Sequence, residues 1–267
     1  MSTKALLLSG GYGTRLSPLS DIWPKCLMPI KDKALLEYWI DTLHDSGIHD
    51  ILINLHYLSD EVKKFLERDK FKGLVTCVYE DKLLGTAGTL IKNHEFFRGG
   101  DILLAHADNF CSANFSDFIY AHQEKPKSSI VTMMTFTTDQ PESCGIVTTD
   151  TNGILIDFHE KVSSPPSNIA NGAIYMLNEE FLDWITQQSE ITDFSLEVIP
   201  RLLGKISVWH NEGIHIDIGS IENLLKCQTL ERKNSEVHRD EWHYLFMKHP
   251  IHKLIEQARE RNEEKSK

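Results

Sequence analysis

Through the first half of the sequence, short apolar runs of strand type alternate with amphipathic helical patterns, and nothing else narrows the possible folds as far. Lys4–Ser9 reads as a buried strand. Leu36, Trp39, Ile40 and Leu43 then recur at i, i+3, i+4, i+7 and predict a helix that Gly47 can close. Asp50–Leu55 predicts the next strand. Ser59, with Asp60 and Glu61 behind it, opens another helix, because an oxygen acceptor and negative charge both suit a helix N-terminus. Leu74–Tyr79, Asp101–Ala107 and Ser129–Phe136 continue the strand series. This alternation predicts an α/β fold, Rossmann-like, with a mostly parallel sheet flanked by helices.

The second half changes character. Gly145–Thr149 and Ile154–His159 flank Asp150-Thr-Asn-Gly153, a hairpin signal. Asn171–Leu177 is strand-like, and Phe181, Leu182, Trp184 and Ile185 make a short helix. Ile206–His210 and Gly213–Ile218 resume strands before a helix from Ser220. The expectation is a smaller antiparallel insertion within one domain, residues 1–232. Residues 233–267 form a polar tail rich in His and Glu, with an apolar helical stripe at Ile251, Leu254, Ile255 and Ala258. That stripe predicts a C-terminal helical extension packed on the domain or on a second subunit. Every candidate catalytic group precedes the tail, so the tail is expected to serve stability or assembly. Its histidines, His238, His243, His249 and His252, lack a compact metal spacing and are expected at the surface.

Charge excludes one class of partner. The formal net charge is -11 and no stretch concentrates Lys and Arg, whereas a nucleic-acid binder needs a basic face. A small anionic substrate is compatible, because a few placed cations can make one pocket positive. Five widely spaced cysteines without a C-x-x-C pair read as reduced thiols. Ala5 to Leu8 is too short for a signal-peptide core, and no run approaches a membrane span. A cytoplasmic location with no membrane partner is the expectation.

The densest chemistry is Gly10-Gly11-Tyr12-Gly13-Thr14-Arg15-Leu16, directly after the first strand, with Pro24-Lys25 beyond it. Glycines let backbone amides approach a triphosphate closely, since no Cβ intervenes. Arg15 offers a planar fork for phosphate oxygens and Lys25 a point charge. A Walker A loop needs G-x-x-x-x-G-K-[ST], which is absent. The dinucleotide fingerprint fails because Leu16 stands where its last glycine belongs.

The run Gly11-Tyr-Gly-Thr-Arg15 through Pro24-Lys25-Cys-Leu-Met-Pro29 resembles the signature of sugar-1-phosphate nucleotidylyltransferases. Further matches follow in the family's order over roughly residues 4–230: Leu84-Gly85-Thr86-Ala87-Gly88, Ala107-Asp108-Asn109, Cys144-Gly145-Ile146-Val147, Phe158-His159-Glu160-Lys161, Asn171-Gly172-Ala-Ile-Tyr175 and Asp217-Ile-Gly219. The resemblance implies a nucleotide site at Leu8, Gly10, Gly11, Gly13 and Thr14, with Glu80 and Gly85 near the base. It implies that Arg15 and Lys25 are catalytic, binding the triphosphate and stabilising the departing pyrophosphate. Asp108 and Asp217 would hold Mg²⁺, and Gly145, Glu160, Lys161, Asn171 and Gly172 would bind the sugar phosphate. The implied partners are a nucleoside triphosphate and a sugar 1-phosphate, and homo-oligomerisation is left open.

The chemistry agrees with those roles. The nucleophile is an ionised phosphate oxygen, so no general base is needed. The task is to bring two anions together and neutralise a leaving pyrophosphate. Leu84-Gly-Thr-Ala-Gly88 is most similar to the guanylyltransferase branch acting on mannose- or manno-heptose-type sugars. The alternatives are a glucose-1-phosphate thymidylyl- or uridylyltransferase and, from another class, a catalytically silent nucleotide-sugar-binding regulator. Three positions depart from the family pattern: Ala107 where glycine is usual, Val162 in place of a proline after Glu-Lys, and Ser20-Asp21-Ile22-Trp23 before Pro24-Lys25.

Overall fold

The computed structural model describes residues 2–188, 190–230 and 237–265. Strand β1 (Lys4–Leu8) lies in the interior of the main sheet, because its aliphatic side chains can be buried on both faces. Two short strands, β2 (Pro29–Ile30) and β3 (Lys33–Ala34), form a small ribbon ahead of helix α1 (Leu35–Asp45). Gly47 closes α1 with φ 84°, as its position predicted. Strand β4 (Asp50–Leu55), helix α2 (Ser59–Leu66), strand β5 (Val75–Tyr79), helices α3 (Gly85–Lys92) and α4 (His94–Phe97) and strand β6 (Ile102–His106) complete the first α/β series. β4 and β6 flank β1, and β5 lies outside β4, all four parallel.

A ribbon strand β7 (Asn109–Cys111) and helix α5 (Phe115–Gln123) precede β8 (Val131–Thr137). The predicted hairpin is present as β9 (Gly145–Thr149) and β10 (Leu155–Glu160), its turn held by Asp150 Oδ1 accepting from the Asn152 and Ile154 amides. The long strand β11 (Ile169–Leu177) then runs antiparallel to both β6 and β8. Helix α6 (Glu179–Thr186), β12 (Ile206–His210), β13 (His215–Asp217), α7 (Ile221–Thr229), α8 (Glu241–Met247) and α9 (Pro250–Lys265) follow. Among the described residues, nine strands form one sheet, in the order β5-β4-β1-β6-β11-β8-β12, with the β9–β10 hairpin attached along the start of β11. The antiparallel portion is therefore fused to the parallel sheet through β11. No helix among the described residues is long and apolar enough to cross a membrane.

Side-chain alternation sorts the core into two layers. Ala5, Leu7, Leu103, Ala105, Ile174 and Met176 face one side with α1, α2, α5, α7 and the tail helices. Leu6, Ile102, Leu104, Tyr175 and Leu177 face the other with α3, α4 and α6.

The boundary expected at 232/233 lies outside the described residues. Beyond it, the tail stripe packs on this same domain: Ile251, Ile255 and Phe246 are buried in the first layer. The expectation of surface histidines is corrected here. His243 is buried, His249 packs on Trp23 and His252 on Phe246, while His238 stays exposed. The cause is the aromatic cluster under α8, whose ring faces need planar cover. Arg68 bolts α8 to α2 and α1. It donates to Glu37 and Asp240 at 2.5 and 2.7 Å and stacks on Trp242 at 4.9 Å, itself almost fully buried.

Breaking a buried ion pair costs about 3–5 kcal/mol, and Lys70 would still hold Glu37 at 2.9 Å. Arg68→Met is therefore expected to lower the unfolding free energy by about 3 kcal/mol in a urea titration, with α8 amides losing exchange protection before those of β1. A loss below about 1 kcal/mol would contradict this bolt.

Candidate active site

The site is built where the parallel strands end. Leu8 pairs with Asn54 of β4 and His106 of β6, so the glycine loop leaves the sheet between two neighbouring strand ends. Asn54 holds the loop's start, its Oδ1 accepting from the Ser9 amide at 2.8 Å. Gly10 is required by closeness: a Cβ there would lie 3.0 Å from Leu83 Cδ2 and 3.1 Å from Asn54 Nδ2. Gly13 is required by conformation, with φ 65°, and by the Lys25 Cβ that a side chain would meet at 3.2 Å. A Cβ on Gly11 would meet nothing within 4 Å, so that stretch opens outward. Among the described residues, the amides of Gly10, Gly11, Tyr12, Gly13 and Thr14 donate to no protein acceptor. Thr14 itself is exposed at the start of the turn that carries Arg15.

The charged centre follows from one strand pairing. Asp108 sits between β6 and β7, and β13 runs antiparallel to β7 with Asp217 opposite Asn109. The two carboxylates thus face one point, and Lys25 stands at it. Its Nζ donates to Asp108 Oδ2 at 2.7 Å and to Asp217 Oδ1 at 3.1 Å. Arg15 Nη2 reaches Asp217 Oδ2 at 3.1 Å while most of its side chain stays exposed. Gly219 makes that reach possible, since a Cβ there would lie 2.4 Å from Arg15 Nη2. Burial alone would lower the Lys25 pKa, but Asp108 and Asp217 outweigh it and raise it. Burial likewise opposes ionisation of Asp217, but Lys25 and Arg15 hold its carboxyl below the usual value.

A second cluster lies at the hairpin end. Glu160 pairs with Gly145, and a Cβ on Gly145 would lie 2.6 Å from Glu160 Oε2. Lys161 follows in a left-handed conformation, φ 51°, with Nζ 3.4 Å from Glu160 Oε1 and mostly exposed. A non-glycine residue held there signals local strain of the kind concentrated at functional sites. The third group is a bulge in β11. Asn171 donates to Tyr175 Oη at 2.7 Å, and Gly172 O accepts from His215 Nε2 at 2.8 Å. Burial pushes His215 down to about 4, so the ring is neutral, and it stacks on Phe136 at 4.2 Å. Cys144 precedes Gly145 and its carbonyl accepts from the Lys161 amide at 3.1 Å; burial first, then the charges of Asp217 and Glu160, push its thiol up.

Glu80 is buried, its carboxylate accepting from Thr89 Oγ1 at 2.7 Å and the Leu84 amide at 3.2 Å. It therefore shapes the 80–85 loop. Gly85, φ 80°, begins α3 so close to Thr192 that a Cβ would lie 2.4 Å from its carbonyl. This loop reaches the glycine loop through Leu83 beside Gly10 and through His56, which hydrogen-bonds the Glu80 carbonyl at 2.7 Å and Tyr12 Oη at 2.9 Å.

The structure thus joins Arg15, Lys25, Asp108 and Asp217 in direct contact. Gly13 lies against the Lys25 stem, Leu8, Gly10, Gly11 and Thr14 belong to the same strand end and loop, and Gly145, Glu160 and Lys161 form a separate cluster. His215 links Gly172 to the strand bearing Asp217. Sequence reasoning assigned no role to His215, Asn54 or Gly219; for Gly219 the signal was its place two residues after Asp217. Asp217 ends a half-exposed strand, β13, which pairs with β7 and not with the main sheet. Among the described residues, no group of three or more His, Cys, Asp or Glu is placed to hold a metal unaided.

A family model described as nucleotidyl transferase matches residues 4–234. A protein of Sulfolobus acidocaldarius, provisionally named a mannose-1-phosphate guanyltransferase, is 31% identical over 219 residues, spanning 80% of this chain and 59% of its own length. A glucose-1-phosphate adenylyltransferase of Thermotoga maritima is 28% identical over 248 residues, spanning 83% of this chain and 59% of its own length. The chain therefore spans about three fifths of these curated relatives. A crystal structure from Bacillus anthracis, provisionally named a glucose-1-phosphate thymidylyltransferase, superposes with a TM-score of 0.76 at 21% identity, covering 91% of this chain and 99% of its own. It shows the shared fold.

The charge cluster makes a pH prediction. Lys25 is raised, so its share of stability is present below its unfolded pKa of about 10.4 and lost as pH rises through the folded value. Asp217 is lowered, so its share is present above about 3.9 and lost as pH falls through the folded value. Melting followed against pH should show a shallower acid limb below about pH 4 in Asp217→Asn than in wild type. An unchanged limb would contradict the pairing.

Proposed function

The chain belongs to the nucleotidyl transferase family, and within it we propose that the protein joins GTP to a sugar 1-phosphate of mannose or manno-heptose type, releasing pyrophosphate. One observation carries the reading: two carboxylates converge on the Lys25 ammonium beside a glycine loop whose amides are free to bind phosphate.

The reaction needs no activated hydroxyl, only two anions brought in line and a leaving pyrophosphate neutralised. The loop amides cradle the triphosphate, and the exposed Arg15 fork binds its oxygens. Lys25 follows charge from the α-phosphorus to the leaving group. Lys161, on its strained residue, takes the phosphate of the sugar, and Glu160 accepts from sugar hydroxyls. Asp108 and Asp217 would hold Mg²⁺, a hard cation that two carboxylates together with substrate phosphates suit. When bound, that ion supplies further neutralisation of the reacting phosphates.

Base selection is assigned to the 80–85 loop. With Glu80 buried and engaged by Leu84 and Thr89, the carbonyls of that loop are the acceptors offered to the two donors on guanine's edge. The competing assignment within the family is another base with glucose 1-phosphate, which the Thermotoga relative favours. A silent binding homologue is disfavoured, because it has no use for both carboxylates and all three cations.

The test is pyrophosphate release from GTP, ATP, UTP and dTTP against a panel of sugar 1-phosphates. GTP with mannose-type acceptors should lead in kcat/KM by about tenfold or more, since each unpaired buried acceptor costs about 1–3 kcal/mol. Preference for another triphosphate with glucose 1-phosphate would sink the guanylyl assignment, and no release with any pair would sink the transferase reading. Lys25→Met should lower kcat by about 10²–10³ at saturating triphosphate, with activity lost in EDTA. A rise in KM alone would make Lys25 a uniform binding group.

A further inference from the structure

The turn that carries Lys25 is held from outside by the tail. Residues 25–27 form one tight turn, closed by Leu27 N–H on Pro24 O at 3.0 Å and Met28 N–H on Lys25 O at 3.1 Å. Trp23 adds a bond that the backbone cannot supply: its indole N–H donates to the Leu27 carbonyl at 2.7 Å. The indole thereby spans the turn from the residue before Pro24 to its last residue. Trp23 is only 4% exposed, and α8 with the connection that follows it helps cover the ring. His249 lies 4.2 Å from its ring, Phe246 stacks at 5.9 Å and Trp242 lies at 6.5 Å. α9 also packs against the turn at residues 19–21, the middle of the segment joining Arg15 to Lys25.

On its inner side the Lys25 stem rests against Gly13, where no side chain separates them. The lysine is thus confined between the glycine loop and the Trp23-braced turn, and its ammonium meets both carboxylates only at that setting.

We infer that Trp23 is a positioning residue for Lys25, and that α8 and the His249 connection act on catalysis by clamping Trp23. The inference rests on the proposed function and goes beyond it, because it gives the tail a part in turnover. A lysine side chain has four rotatable bonds, so its aim depends on how firmly its backbone is held. A misplacement of about 1 Å can cost about 10²-fold in rate even when it originates away from the reacting atoms.

The experiment is a double-mutant cycle in the full chain. Trp23→Phe keeps an apolar ring but removes the N–H; His249→Ala removes a tail contact at a half-exposed residue. Each should lower kcat about 5- to 30-fold with KM for the triphosphate within about twofold, and melting should confirm a folded protein. In a Lys25→Met background the same changes should cost no further rate. Losses that multiply independently of Lys25, or no loss in kcat, would overturn the inference. An activity-free reading accompanies it. In ¹⁵N-lysine-labelled protein the Lys25 ammonium signal, assigned by its disappearance in Lys25→Met, should broaden or shift in Trp23→Phe. If wild type releases no pyrophosphate with any substrate pair, the functional reading fails, and this signal alone decides the positioning: unchanged, it refutes the clamp.

Discussion

The pairing of β13 with β7 is the constraint on which the candidate site depends. It sets Asp217 opposite Asn109 and therefore beside Asp108, although the two carboxylates belong to distant parts of the sequence. Two carboxylates so close repel one another, and the arrangement is tolerable only with a cation between them. Lys25 supplies that cation at 2.7 and 3.1 Å, with Arg15 on the outer oxygen of Asp217. The same oxygens suit a divalent ion, and the same two cations suit a polyphosphate. A self-neutralised cluster in the protein is thus also a set of charges matched to a triphosphate–metal substrate.

Other features serve that cluster. Strands β1, β4 and β6 end side by side, which puts the glycine loop at the edge where Asp108 emerges. Gly13 and Gly219 are empty space in the right places: one lets the Lys25 stem lie against the loop, the other lets Arg15 reach Asp217. On the opposite flank His215 ties the Gly172 bulge, part of the proposed sugar pocket, to the strand of Asp217. Neutrality suits that ring, since a charged imidazole would compete with Lys25 for Asp217.

Much of this was legible in the sequence because it is local. The 3.6-residue spacing of Leu36, Trp39, Ile40 and Leu43 gave α1, Gly47 gave its end, and Asp150 to Gly153 gave the β9–β10 turn. Ser220 accepts from the Asn223 amide as a helix cap, as its place before α7 implied. What stayed hidden is tertiary. β7 has three residues and no period to detect, yet it aligns the two carboxylates. Glu80 looks like any exposed carboxylate until Thr89 and the Leu84 amide are seen to hold it. The unusual Ser20-Asp-Ile-Trp23 stretch makes sense only once α8 and His249 cover the indole and α9 packs on residues 19–21, which also explains why three tail histidines are packed.

Asp108 and Asp217, with Lys25 between them, are the proposed reaction centre of this nucleotidyl transferase. Crystals grown with Mn²⁺ and a non-hydrolysable triphosphate analogue test it most directly, by an anomalous difference map at the manganese edge. A metal peak is expected within coordination distance of both carboxylates, about 2.0–2.3 Å, with Lys25 moved onto the phosphates. Bound analogue with its metal elsewhere, and Lys25 still seated on the two carboxylates, would contradict it.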